Sequence, residues 1–536
     1  MRFKRALREG RYPRLHLMVE SIRYYRQRIS GSLGLGRPRG ARDTLAGITP
    51  LLAADRFVPG RIVLVNCGLA AGGVERQIVY HLRGLASTAA LESVALVCTH
   101  PFDTPGYDFY LPDLKDCAAE ATEATRSTDA SDFASACGSN PSVAALIEML
   151  PERLQRDVRR LAIEFLRRRP EVVHGFQDMS GVAASLAAAA VGVPRIILSS
   201  WNLRPTTLDH YQDYMRPAYR LLAGCNRIIF ANNSNAGAKD YVRWIGIPSL
   251  KFRVMPNGID TDEIARPDAA AIAAFRASIG VSEGAPLIGS VFRLRAQKRP
   301  MLWIDAASEV ARAFPDAHFL LLGAGPLRER ILRRARRRGI ADRLHMPGTM
   351  KDVSLAISAM SVFLLTSEIE GIPNVLLEAG LLGVPVVTTE AGGAVEAIDP
   401  GRTGWVATDG NAKTVAACVS RILNDQDWVS AARHAAPAFI RSHFGLQRVL
   451  GDIVALYGVA APHRLCSPAE ASLGPGASDG KCRSLGVPES LEVIAIGADH
   501  VFRLSRRDDT PLPQVDAAVA PLLDQIHRVG GEHHDG

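Results

Sequence analysis

Apolar and polar positions along this chain alternate between two periods. Short runs of aliphatic and β-branched residues, four to seven long, recur at residues 61–66 (RIVLVN), 93–98, 171–174, 195–199 and 227–231, and again at 286–292, 317–323, 361–366, 384–388 and 403–407. They are too continuously apolar for strands with one wet face and read as buried parallel strands. Helical patterns separate them: GGVERQIVYHLRGL at 72–85, a basic helix at 143–169 that ends at Pro170, and an Ala-rich segment at 181–193 that ends at Pro194. An arginine-rich helix at 328–338 reads as a solvated face. Strict β-α alternation predicts an α/β protein with doubly wound sheets. Residues 99–142 lose this periodicity and fill with Asp, Glu, Ser, Thr and Ala, as a functional loop or a disordered segment does.

The densest stretch, SVFLLTSEIEGIPNVLLEAGLLGVPVVTT at 361–389, is a strand-loop-helix-strand unit. Its loop lies at the carboxyl end of a strand, where open α/β sheets bind ligands. Pro373 opens the helix, Gly383 closes it, and the amides of Asn374, Val375 and Leu376 are expected to face an anion. Glu370 and Glu378 bracket that position. Carboxylates do not bind phosphate, so their partners are expected to be hydroxyls on either side of one, as in a ligand built of sugar, phosphate and ribose.

EGIPNVLLE, with seven residues between its glutamates, resembles the E-x7-E signature of family 4 retaining glycosyltransferases, and so do the flanking G-x-P-V-V at 383–387 and GG-x-x-E at 392–396. The resemblance covers roughly residues 61–458. It implies the GT-B fold, two Rossmann-like doubly wound domains facing a cleft, and transfer of a hexose or N-acetylhexosamine with retention from a nucleotide diphosphate sugar, UDP-linked by expectation. The acceptor would be a glycan or a lipid-linked glycan.

The expected divisions are a basic tail at 1–57, an acceptor domain at 58–250, a donor domain at 251–440, a crossover helix at 441–458 and a linker with an unassigned end at 459–536. By the same resemblance Arg293 and Lys298, in the loop RLRAQKRP, would neutralise the departing diphosphate without a metal or other cofactor. Glu378 would hold the ribose, and Glu370 with the amides of the loop Gly371–Asn374, to which Pro373 adds shape but no donor, would orient the sugar. Gly72 and Gly73 match the family's first loop, and residues 99–142 would lie on the acceptor side. The GAGP turn at 323–326 and residues 343–348 fall where the family holds the base.

The family's histidine usually follows the strand at 171–174, but here His174 sits on the strand itself. It either reaches the cleft or fills the core, with Gln177 or Asp178 taking the polar role. Trp201, Asn202 and Arg204 follow a strand end and are candidate acceptor contacts, Trp201 less so than loop packing. Asp260-Thr261-Asp262 matches D-x-D formally, but it follows a turn in a linker and is rejected as a metal site. Two other readings stay open: an epimerase or hydrolase of nucleotide sugars on the same scaffold, and a non-catalytic nucleotide-sugar sensor.

Charge changes this picture at one end only. Twelve of the 63 Lys and Arg residues but two of the 55 acidic residues lie in 1–42, so the net +8 belongs to the tail. There Leu15, Met18, Ile22, Tyr25 and Ile29 recur at steps of three and four, with Arg14, Arg23, Arg26 and Arg28 between them. Such a helix would lie on an anionic membrane surface or dock on the protein's own first domain. No motif downstream supports nucleic acid. The tail lacks an apolar signal region, no run of 18 apolar residues occurs, and eight scattered cysteines form no C-x-x-C pair. Reduced thiols in the cytoplasm are expected, on the inner face of the membrane if the tail attaches.

Overall fold

The alternating pattern resolves, in the computed structural model, into two parallel sheets, each with its strand order reversing once. The structure describes residues 45, 48–89, 91–124, 133, 140–208, 210–350 and 352–459. The stripe Leu15–Ile29, the linker beyond 459 and the apolar run at 491–496 lie outside the described residues.

The first sheet contains β1 (Val58–Asn66), β2 (Ser93–Cys98), β3 (Glu120–Glu123), β4 (Pro170–Phe176), β5 (Arg195–Ser200), β6 (Ile228–Asn232) and β7 (Phe252–Val254). They run in the order β3-β2-β1-β4-β5-β6-β7, all parallel. The second holds β8 (Leu287–Val291), β9 (His318–Leu322), β10 (Leu344–Gly348), β11 (Val362–Leu365), β12 (Val386–Thr389) and β13 (Gly404–Ala407). Their order is β10-β9-β8-β11-β12-β13, again all parallel. The reversals fall between β1 and β4 and between β8 and β11, where this architecture leaves a crevice at the strand ends.

The apolar runs are continuous because both faces of each sheet are covered. Ile62 and Leu64 of β1 pack into one core, while Val63 and Val65 point the other way into a second. The expected doubly wound pair of domains is therefore present.

Three local features depart from the pattern. The unpatterned stretch contains β3, whose sequence EATE is polar and which pairs with β2 at the sheet edge. The basic helix divides into Pro141–Glu148 and Glu152–Arg168, because Pro151 has no amide to continue the first. Phe252–Val254, just beyond the expected boundary at residue 250, adds an edge strand to the first sheet.

Two chain crossings join the domains side by side. Ile259 donates to the Phe444 carbonyl at 2.8 Å and Leu446 donates to the Ile259 carbonyl at 3.0 Å. The last helix among the described residues, Leu446–Tyr457, then returns to the first domain, where Val449, Leu450, Ile453 and Tyr457 complete a core with β1 and β4. It lies so close to the helix Gly73–Ala86 that a Cβ at Gly84 would overlap the Leu450 side chain. Among the described residues no helix is long and apolar enough to cross a membrane.

Candidate active site

The loops leaving β1 and β4 meet those leaving β8 and β11, so both switch points contribute to one cleft. Arg293, just past β8, donates across it to the Ala71 carbonyl at 3.3 Å. Asn374, at the start of the helix after β11, donates to the Gly73 carbonyl at 3.1 Å.

Lys298 and Glu370 form an ion pair, with Nζ on Oε1. Their loops are stitched together: the Glu368 amide donates to the Gln297 carbonyl at 2.9 Å, Gln297 Nε2 to the Ile369 carbonyl at 3.0 Å, and Thr366 Oγ1 to the Lys298 carbonyl at 3.0 Å. From the other side the glycine loop after β12 clamps Glu370. The Glu370 amide donates to Ala391 at 3.1 Å, and the Glu370 carbonyl accepts from Gly393 at 3.0 Å. A Cβ at Gly393 would lie 2.7 Å from the Gly371 carbonyl oxygen, which is why this approach needs glycine. A cation and a carboxylate are thus held at the ends of adjacent strands by backbone bonds, not by side-chain packing alone.

Glu378 is buried on the helix Asn374–Leu381. Its Oε1 pairs with the guanidinium of Arg76 from the first domain, and its Oε2 is buried without a hydrogen-bond partner. An unsatisfied buried carboxylate oxygen is costly unless a ligand completes it.

The helix start differs in detail from expectation. Pro373 caps it and Asn374 is its first residue, and the Leu376 amide is not free for an anion because it donates to the Pro373 carbonyl at 3.0 Å. Val375 is half-buried and leans on the core of the second domain. The Asn374 side chain is taken up in an interdomain network. Its Oδ1 accepts from Asn257 Nδ2 at 2.6 Å and Gln77 Nε2 at 3.3 Å, and Gln77 exchanges two hydrogen bonds with Gly258, at 2.7 and 2.8 Å.

The first-domain wall is formed by Gly72, Gly73, Glu75 and Gln177. Gln177 donates to Glu75 Oε1 at 3.1 Å and holds a backbone φ of 62° with ψ of 169°, a conformation nearly reserved for glycine. Burial raises the Glu75 carboxyl above the usual range, against the pull of Gln177 and of Arg293. A Cβ at Gly72 would overlap Glu75 and come within 3.2 Å of Arg293 Nη2. At Gly371 a Cβ would overlap Asn233 and lie 2.6 Å from the Trp201 carbonyl oxygen, so the first domain presses directly on the loop after β11.

Two candidates are corrected. His174 does not reach the cleft: it is fully buried, with Nδ1 2.7 Å from the Tyr457 hydroxyl and Nε2 2.8 Å from Ser199 Oγ. Burial holds its pKa well below the usual value. Asp178 also turns inward, accepting from the hydroxyls of Tyr219 at 2.9 Å and Tyr241 at 2.6 Å. Of the three polar candidates only Gln177 faces the cleft. Trp201 packs in the core and donates to Ser199 at 2.9 Å, while the Arg204 amide donates to Asp240 at 2.9 Å. The Asn202 side chain accepts from the Leu203 amide at 2.8 Å. Asp260 Oδ1 accepts the backbone amide of Asp262 at 3.0 Å, as a turn residue does.

Glu75, Arg76, Gln77, Asn233 and Asn257 are cleft residues that pattern reasoning did not single out. The first three stand in GGVERQ, a string read for its glycines, and Asn257 in the Pro-Asn-Gly turn. Glu396, the last residue of GG-x-x-E, also crosses between domains. It accepts from the amides of Asn235 and Ala236, both at 2.8 Å, at the start of the helix Asn235–Ile245.

Residues 71–263 match the family described as Glycosyltransferase Family 4, and residues 272–438 the one described as Glycosyl transferases group 1. The Vi polysaccharide biosynthesis protein VipC/TviE of Salmonella typhi is 28% identical over 412 residues, 74% of this chain and 71% of that protein. The 2-deoxystreptamine glucosyltransferase of Streptomyces kanamyceticus is 26% identical over 289 residues, 52% of this chain and 73% of that protein. In fold, the chain is similar to Anabaena HepE in complex with UDP, with a TM-score of 0.58, 18% identity and coverage of 74% of this chain and 99% of that one. The two family matches divide at the interdomain crossing and each brings one wall of the cleft, so the chain belongs to the family 4 glycosyltransferases and has their GT-B fold.

Proposed function

We propose that this glycosyltransferase moves a hexose or N-acetylhexosamine from a UDP-sugar to a glycan or lipid-linked acceptor in polysaccharide assembly, with retention at the anomeric carbon. The observation that carries the proposal is the placement of Lys298 against Glu370 one loop away from the unpartnered Oε2 of Glu378. In this reading Glu378 accepts a ribose hydroxyl, Glu370 a hydroxyl of the transferred sugar, and Arg293 and Lys298 lie beside the diphosphate between them. Charge developing on the leaving oxygen is then met by fixed cations in a site that needs no metal to supply them. No side chain is assigned as a covalent nucleophile. The departing phosphate would take the acceptor's proton on the same face, and catalysis would be mainly positioning and electrostatics. Polysaccharide assembly follows the relative from Salmonella typhi, whose likeness extends over most of both chains.

The test is a panel of UDP- and GDP-linked sugars offered to the purified chain, with nucleotide release as the readout. Release from a UDP-hexose or UDP-N-acetylhexosamine supports the proposal, and release from GDP-sugars alone overturns the donor assignment. The burial of His174 leaves the cleft without the family's histidine and favours a second reading, a nucleotide-sugar sensor. Binding of UDP-sugars with no release in the presence of a range of acceptors would select it.

A further inference from the structure

Where residues 261–266, the end of the helix Asn374–Leu381 and the helix Gln426–Phe444 meet, the structure has a cavity of about 480 Å³. It is lined by Thr261 and Arg266 from the segment entering the donor domain, Leu382 and Gly383 after the helix Asn374–Leu381, and Arg433 and Arg441 of the helix Gln426–Phe444. Three guanidinium groups therefore border one space, and no carboxylate lines it. Arg266 is anchored there by its own hydrogen bonds, through Nη1 to the Leu382 carbonyl and through Nη2 to that of Ser358 at 3.4 Å. Arg433 and Arg441 are exposed, and neither pairs with a carboxylate among the described residues. Burial, and next the charge of Arg433, lower the pKa of Arg266, so the cluster is held together against its own repulsion.

We propose that this cavity is a second anion site, and that it binds a diphosphate group. Eight residues of helix place Arg433 and Arg441 about 12 Å apart along the axis, and long side chains can converge from that spacing on two linked phosphates better than on one. Guanidinium suits the task because its planar donors match phosphate oxygens in pairs. The location gives the site a consequence. Thr261 lies two residues beyond Ile259, and Arg441 four before Gly445, the two points at which the interdomain crossings pair. A ligand bridging Arg266 to Arg441 ties one crossing to the other and restricts the angle between the domains. The diphosphate has two chemical sources in such a system, a free nucleoside or inorganic diphosphate, and the diphosphate of a lipid-linked glycan.

The lining shares no residue with Arg293, Lys298, Glu370 or Glu378, and two paired variants separate the two sites. Inorganic diphosphate is titrated calorimetrically into the full chain, into Arg433→Ala/Arg441→Ala and into Arg293→Ala/Lys298→Ala. The expected result is two classes of site in the wild type. One should be weakened about tenfold or more in the first variant with the other intact, and the reverse should hold in the second. Because Arg433 and Arg441 are exposed, the first variant should keep the wild-type melting temperature. A titration of Arg433→Ala/Arg441→Ala indistinguishable from wild type overturns the proposal. Vesicles carrying a polyprenyl diphosphate form the second arm: retention by the wild type and loss in Arg433→Ala/Arg441→Ala assigns the lipid source. Equal retention of both, with diphosphate affinity lost in the variant, assigns the free one.

Discussion

Arg76 and Glu378 stand 302 positions apart and form an ion pair across the cleft, the guanidinium from the first turn of one domain's helix and the carboxylate from the middle of the other's. The carboxylate is almost wholly buried, so the pair cannot be treated as a solvated surface contact. Removing one partner of such a pair leaves a charge without compensation. Arg76→Met should therefore destabilise the protein by about 3 kcal/mol, read as a lower midpoint in urea unfolding, while Glu378→Gln, which retains a polar group, should cost less. Equal stability of Arg76→Met and wild type would show that the pair is not formed in solution.

If the free Oε2 of Glu378 accepts a ribose hydroxyl, Glu378→Gln should raise KM for the donor about tenfold with a smaller change in kcat. If its ion-pair partner Lys298 faces the developing charge, as proposed, Glu370→Gln should lower kcat by about a hundredfold with a smaller change in KM. Steady-state kinetics on both variants decide it, and full activity in both removes the assignment.

Gly371 offers a steric test of interdomain contact. Gly371→Ala places a methyl group against Asn233 and the Trp201 backbone, groups that cannot both move aside. Turnover should fall at least tenfold (~1.4 kcal/mol on the barrier) while the unfolding midpoint changes little, because the strain falls between domains and not within either core. An active Gly371→Ala enzyme would mean that the cleft works in a more open state.

Acid should weaken the first domain through two buried histidines. Burial lowers the pKa of His81 to about 3 and that of His174 well below the ordinary value, and neither ring nitrogen of His81 has a hydrogen-bond partner. The folded state holds both neutral while the unfolded chain takes up protons near pH 6.5. Stability is thus intact above that pH and falls below it, by about 1.4 kcal/mol per pH unit for each histidine, continuing for His81 towards pH 3. His81→Leu should leave stability at pH 7.5 equal or higher, since no hydrogen bond is lost, and should flatten its decline between pH 6 and 4. Urea titrations at four pH values measure both.

Two expectations remain to be measured on the whole enzyme. If Arg293 and Lys298 supply the cations at the diphosphate, as proposed, transfer should persist in EDTA. Loss with rescue by manganese or magnesium would direct attention back to Asp260 and Asp262. For the tail, even half of its twelve basic residues would contribute roughly 6 kcal/mol at an anionic surface, and this should fade at 1 M salt, where the Debye length is about 3 Å. Liposome sedimentation of the full chain and of a chain starting near Arg56 tests it. Equal binding by both would leave the stripe from Leu15 to Ile29 as a packing face.

The sequence by itself determined everything that depends on neighbours along the chain. Short continuous apolar runs in alternation with helical patterns marked strands covered on both faces, whereas the strand order that puts the loops after β1, β4, β8 and β11 at one cleft came from the tertiary structure. Glu370 and Glu378 were legible because one loop and one short helix carry both. What depends on partners far away was decided by the tertiary structure alone. His174 looks the same in sequence whether it meets a ligand or a core, and it is Tyr457, 283 positions later on the returning helix, that takes its Nδ1. The strand β3 has no apolar period because it is an edge, and only its pairing with β2 makes EATE a strand. Glu75 is an ordinary helix glutamate until Gln177 and Arg293 are brought around it. Local pattern records the free energy of burying a face, but the identity of the group that meets a buried polar atom is set by a contact the chain makes only once it has folded.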